Sequence, residues 1–137
     1  METLKPYQIL RVVIVEDETH LLEALRDHFD SNYEVKAFSS VESALAWIAA
    51  GNPFDMILSD LNLPNKTGRD LYNSLKKRGH GEEAKIVFMT AGIFTAELAE
   101  WFASIPNIKL EKPFNVGRLR DLLVQMGNST PSPSIGS

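Results

Sequence analysis

The stretch Asp55-Met56-Ile57-Leu58-Ser59-Asp60-Leu61-Asn62-Leu63-Pro64-Asn65-Lys66-Thr67-Gly68 decides how this chain reads. Met56-Ile57-Leu58 is short, continuous and apolar, the pattern of a strand buried on both faces. The strand ends at Asp60, and Asn62, Pro64, Asn65 and Gly68 follow at once, all of them residues that favour turns. A carboxylate is thereby set at the C-terminal end of a buried strand, the edge at which open α/β sheets bind their ligands. Taken alone, Asp60 reads equally well as an Asp that caps its own loop.

Outward from this stretch the pattern recurs. Ile9 to Val15 is a nearly continuous β-branched run, followed by Glu16-Asp17-Glu18 and by Leu21, Leu22, Leu25 and Phe29 at helical spacing. Val35 to Phe38 reads as a second strand. Ser39, with Glu42 three residues on, predicts a capping box for a helix with the apolar stripe Val41, Ala44, Leu45 and Ile48, ended by Gly51 and Pro53. After Gly68, Leu71, Tyr72 and Leu75 mark a third helix closed by Gly79 and Gly81. Ile86 to Met89 is a fourth strand running into Thr90-Ala91-Gly92. A helix over Ala96 to Ser104 carries Leu98, Trp101 and Phe102. Ile108 to Leu110 is a last strand ending at Glu111-Lys112-Pro113, and Val116, Leu119, Leu122, Leu123 and Met126 outline a fifth helix.

Strands alternating with helices in this way predict an α/β fold, a parallel sheet with helices on both faces. Right-handed crossovers and one topological switch give most simply a flavodoxin-like, doubly wound (βα)5 arrangement with strand order 2-1-3-4-5. The domain is expected over residues 9–126, after an N-terminal extension at 1–8 and before a Ser/Pro/Gly-rich tail or linker at 127–137.

Composition narrows the function. A length of 137 residues suits one domain with a real core. The net charge of −4 argues against nucleic acid as a direct partner, and Lys76-Lys77-Arg78, the densest basic run, suits the last turn of a helix. No apolar run approaches the ~20 residues of a membrane span, and no signal-peptide layout is visible, so no direct membrane contact is expected. The absence of cysteine excludes disulfides and thiolate metal sites and fits a cytoplasmic setting. His20 and His28 are expected on a solvent-facing helix side and His80 in a loop, without metal-ligand spacing, and no Gly-rich nucleotide loop occurs.

In the 2-1-3-4-5 order strands 1 and 3 are neighbours, so Glu16, Asp17 and Asp60 converge at one sheet edge. Clustered carboxylates call for a cation, and hard oxygen donors in a small open site suit Mg²⁺. Thr90, a hydroxyl, and Lys112, a compact ammonium, end strands 4 and 5 at the same edge. Such a set fits a phosphoryl group, with one carboxylate as nucleophile. Singly, each residue has an ordinary explanation: acids at a helix N-terminus, a strand-end Thr, an exposed Lys. The combination of four strand ends is what carries the chemistry.

In Val15-Glu16-Asp17, in Ser59-Asp60-Leu61-Asn62-Leu63-Pro64 with Gly68, in Met89-Thr90-Ala91 and in Lys112-Pro113-Phe114, the chain resembles the receiver domain of two-component response regulators from about Leu10 to Met126. The resemblance implies that Asp60 takes a phosphoryl group from a phosphohistidine of a sensor histidine kinase or a histidine phosphotransfer protein, and that a downstream protein reads the result. It implies Mg²⁺ held by Glu16, Asp17, Asp60 and the backbone carbonyl of Asn62, Thr90 turning toward the phosphoryl group, Lys112 pairing with it, and a cis Lys112–Pro113 bond. Such a domain catalyses only its own phosphorylation and dephosphorylation, and is not otherwise an enzyme. The Ser/Pro tail and the Leu-Glu-Lys-Pro-Phe motif point to the terminal receiver of a hybrid sensor kinase. Where receivers often carry an aromatic residue three positions before the lysine, this chain has Lys109, which cannot repeat an aromatic in-out switch. A small Mg²⁺-dependent phosphatase with an Asp nucleophile is the first alternative, but it needs a second carboxylate two residues on, where Asn62 stands. A phosphorylation-independent adaptor is the second, and it would be expected to have lost Asp60, Asp17 or Lys112.

Overall fold

The computed structural model describes residues 10–29, 33–93 and 95–115, together with Gly117, Leu119 and Asp121. Five parallel strands, β1 (Leu10–Val15), β2 (Tyr33–Phe38), β3 (Met56–Asp60), β4 (Ile86–Thr90) and β5 (Lys109–Glu111), form one sheet in the order 2-1-3-4-5. Four helices, α1 (Thr19–His28), α2 (Val41–Ala49), α3 (Gly68–Arg78) and α4 (Ala96–Ser104), connect them in turn. Gly117, Leu119 and Asp121 are helical, and the rest of the expected fifth helix lies outside the described residues, as do the extension and the tail.

Alternation along each strand builds two apolar layers. Val13, Val15, Ile57, Ile86 and Phe88 face α2, α3 and α4 through Val41, Ala44, Ile48, Leu71, Leu75 and Phe102. Val12, Ile14, Met56, Leu58, Val87 and Met89 face the other way, onto Leu25 of α1, Phe29 at its C-cap, and Leu119. All five residues of β3 and of β4 are buried, which is why these strands read as unbroken apolar runs. The edge strand β2 alternates half-buried and exposed positions over its first four residues. At the opposite end of the sheet Asp55 ties β3 to β1, accepting from the Arg11 backbone N–H at 2.7 Å and from its guanidinium at 3.2 Å. Burial pushes the Asp55 carboxyl up, but the Arg11 bonds outweigh it and hold the group below the usual carboxylate range.

Several local expectations shift by a residue. The α2 cap is Ser40, whose hydroxyl accepts from the Ser43 N–H at 3.2 Å, not Ser39 with Glu42. Ser40 holds the extended backbone an N-cap requires, and starting the helix at Val41 buries that side chain. β5 begins at Lys109 rather than Ile108, because its ladder pairs Lys109 with Phe88 and Leu110 with Met89. His28 is half-buried, packing edge-on against Phe29 at 5.3 Å, whereas a solvent-facing side chain was expected. A single 3-10 turn over Glu82–Lys85 precedes β4.

Candidate functional site

Backbone bonds carry the ladder past the strand ends at the C-terminal edge of the sheet. The Glu16 N–H donates to the Phe38 carbonyl at 3.0 Å, Leu61 N–H to Met89 at 2.8 Å, and Lys112 N–H to Thr90 at 2.8 Å. The start of α3 is packed directly over the end of β3. The Gly68 N–H donates to the Leu61 carbonyl at 2.9 Å, and a Cβ on Gly68 would lie 2.9 Å from both the Asp60 carbonyl oxygen and the Leu61 Cα. Only glycine permits that approach. The Thr67–Asp70 capping box fixes the helix there, the Asp70 carboxylate accepting from the Thr67 N–H at 2.8 Å.

On this frame Glu16, Asp17 and Asp60 each offer a carboxylate oxygen within 4.8 Å of the others. Glu16 and Asp60 are buried and Asp17 is exposed. The Lys112 ammonium donates to Glu16 Oε1 at 2.9 Å and to Asp60 Oδ2 at 3.0 Å. The remaining Glu16 oxygen accepts from the Glu18 N–H at 3.0 Å, and Asp60 Oδ1 accepts from the Asn62 N–H at 3.0 Å. Burial, with the Asp60 charge added, pushes the Glu16 carboxyl up, against the opposing effect of Lys112. Burial lowers Lys112, but its bonds to Glu16 and Asp60 win and raise it. The two directions are consistent, because one ammonium serves two carboxylates. The ammonium gains, and the more buried acid is left short of compensating charge.

The site opens into a cleft of about 690 Å³ whose lining also includes Asn62, His20 and Ala91. Hard oxygen donors, a charge deficit at Glu16 and space for water fit a small divalent cation of the Mg²⁺ type. Thr90 sits at the same edge, 5% exposed, but its hydroxyl is turned into its own loop: it donates to the Gly92 carbonyl at 2.9 Å and accepts from the Gly92 N–H at 3.0 Å.

Glu16, Asp17, Asp60, Asn62, Thr90 and Lys112 are therefore all at this edge. The resemblance also implied a cis Lys112–Pro113 bond, and that bond is cis. Two features were not foreseen. One is the reach of the Asn62 side chain, whose amide donates to Gly92 O at 3.0 Å and contacts Thr90 Oγ1 at 3.4 Å. The other is His20 at the cleft, which stands in the first turn of α1, where the helix starts from the site edge. Away from the cleft, Lys109 does not swing free. Its ammonium donates to the carbonyls of Ile105 at 2.7 Å and Asn107 at 3.1 Å and lies 5.2 Å from the Phe102 ring centre. Trp101 packs edge-on against Tyr72 and Phe88, with the Arg69 guanidinium 5.2 Å from its ring centre.

Residues 12–124 match the family model described as the response regulator receiver domain. Among curated proteins, the response regulator protein FleR of Pseudomonas aeruginosa is 30% identical over 84% of this chain, a segment that makes up 24% of FleR. The chain thus spans about a quarter or less of the length of the curated relatives it matches, since a probable cyclic di-GMP phosphodiesterase of Vibrio cholerae is covered over 18%. Among solved structures, the chemotaxis response regulator CheY4 of Vibrio cholerae is 26% identical, with a TM-score of 0.73 covering 87% of this chain and 99% of that one. The response regulator protein TrrA of Thermotoga maritima, solved with Mg²⁺ and beryllofluoride, is 25% identical, with a TM-score of 0.69 covering 86% and 99% of the two chains. Among the described residues no helix is long and apolar enough to cross a membrane.

Proposed function

The chain belongs to the response regulator receiver domain family of two-component signalling, and we propose that Asp60 is its phosphoacceptor. The observation that supports this reading best is the Lys112 ammonium shared between Asp60 and Glu16 inside a trio of converging carboxylates. An Asp60 carboxylate oxygen attacks the phosphorus of a phosphohistidine. A P–O bond forms, the P–N bond breaks, and the imidazole leaves and takes up a proton. Glu16, Asp17, Asp60 and the Asn62 carbonyl would hold Mg²⁺, which supplies neutralising charge to the phosphoryl oxygens. Lys112, already within 3.0 Å of Asp60, moves its charge onto the incoming phosphoryl group. Thr90 releases Gly92 and donates to a phosphoryl oxygen, and the loop that follows it changes conformation.

The donor on this reading is a sensor histidine kinase or a histidine phosphotransfer protein in the cytoplasm. The chain catalyses nothing beyond its own loading and unloading. A phosphatase reading is disfavoured by Asn62, which stands two residues after Asp60 and holds its amide on the β4–α4 loop. Incubation with Mg²⁺ and a small phosphodonor such as acetyl phosphate, followed by peptide mapping, is expected to place the label on Asp60 alone. Label elsewhere, or undiminished label in Asp60→Asn, refutes the assignment.

A further inference from the structure

We infer that the Asn62 side chain is a latch that holds the Thr90 loop in its unphosphorylated conformation, so that Asn62 is a positioning residue acting through Thr90. The latch joins two loops that no ladder connects. On the β3–α3 side, the Asn62 N–H is anchored on Asp60 Oδ1 at 3.0 Å. On the β4–α4 side, its amide Nδ2 donates to Gly92 O at 3.0 Å and makes a longer contact, 3.4 Å, with Thr90 Oγ1. Those two acceptors are the atoms that already bond each other, Thr90 Oγ1 donating to Gly92 O at 2.9 Å. With the Gly92 N–H also on Thr90 Oγ1, the hydroxyl has its donor and acceptor roles filled inside the loop. A hydroxyl so engaged must leave Gly92 before it can donate to anything above Asp60.

Asn62 therefore reports on the phosphoacceptor with its main chain and restrains the responding loop with its side chain. A group added to Asp60 changes the carboxylate on which the anchor is fixed, and the same residue then loosens its hold on Gly92. The residue is exposed, and its side chain covers no apolar core, so its removal leaves the fold intact. The inference rests on the reading of Asp60 given above, and a ligand that binds one state of a two-state loop gains affinity when the other state is weakened.

The test compares wild type with Asn62→Ala on two readouts. Amide NMR without Mg²⁺ or phosphoryl mimic is expected to show Thr90, Ala91 and Gly92 shifted in the variant, part of the way toward their positions in beryllofluoride-loaded wild type. Titration with beryllofluoride in Mg²⁺ is expected to show about three- to tenfold tighter binding by the variant, the gain from removing one or two neutral hydrogen bonds of the resting state. Unmoved amides in the unloaded variant overturn the latch, and so does weaker beryllofluoride binding, which makes Asn62 a phosphoryl contact instead. Wild type that binds no beryllofluoride and takes no label on Asp60 refutes the phosphoacceptor reading itself.

Discussion

Lys112 is the only cation within bonding distance of Glu16 and Asp60 among the described residues, and its loss leaves two buried carboxylates facing each other. Lys112→Ala is expected to lower stability by about 3 kcal/mol at neutral pH without Mg²⁺, the cost of breaking a buried pair from one side. The pH dependence follows from the directions of the two shifts. Glu16 is raised in the folded state, so its unfavourable charge appears as pH rises above the ordinary value of 4.5. Lys112 is also raised, so its contribution is complete below its ordinary value of 10.5 and lost as pH rises through the higher folded value. The difference between wild type and variant in urea unfolding should open above about pH 4.5 and close above about pH 10.5. A difference that is flat with pH would count against an electrostatic origin. Residues of this kind were legible in the sequence because each ends a strand at a spacing the sheet order brings together. The Asn62 side chain was not, since its partners Thr90 and Gly92 lie across a loop whose path no local pattern specifies. His28 misled for a related reason. Helical spacing put it opposite the apolar stripe, but it packs against Phe29, and its buried Nε2 has no partner among the described residues.

β3 and β4 were readable almost to the residue because burial on both faces leaves an unbroken apolar signal. The half-exposed edge strand β2, in contrast, starts at Tyr33, two residues before Val35. The helix α3 was readable from its stripe and its glycine stop. Helix starts were harder. Adjacent serines at positions 39 and 40 both suit a cap, and only the backbone angles choose Ser40. The role of Gly68 was also hidden. Its sequence signal is that of a turn former, yet it is the first residue of α3, and its missing side chain lets the helix sit on the Asp60 carbonyl. Gly68→Ala forces a methyl into backbone at 2.9 Å and against the Phe88 ring at 3.1 Å. The cost is expected to be about 2 kcal/mol, within the range for overpacking a filled site. Because the displaced backbone carries Asp60, labelling by acetyl phosphate should slow as well. Gly51→Ala, where nothing lies within 4 Å of the added Cβ, should lose stability through its positive φ while labelling at the normal rate. Equal labelling in both variants would show that the α3 contact does not position the phosphoacceptor.

Across the molecule, the response to phosphorylation has few routes open to it. Lys109 binds two carbonyls at the end of α4 and covers Phe102, so β5 carries no ring free to rotate at that position. The loop after Thr90 leads instead into α4, whose Trp101 is wedged against α3 and β4. Beryllofluoride with Mg²⁺ is expected to move amide resonances chiefly over residues 90–101, with the strand around Lys109 changing little. A response centred on Lys109 would show that transmission runs through β5 after all. The packing of Trp101 also has an optical consequence. An indole held edge-on to two rings under a guanidinium is a chromophore in a fixed electrostatic setting, and any slide of α4 against α3 changes that setting. Trp47, the other indole of the chain, packs on Phe38 at the far edge of the sheet and supplies a steady background. The protein thus carries its own fluorescent gauge, and its emission can follow loading and unloading in real time with no label attached.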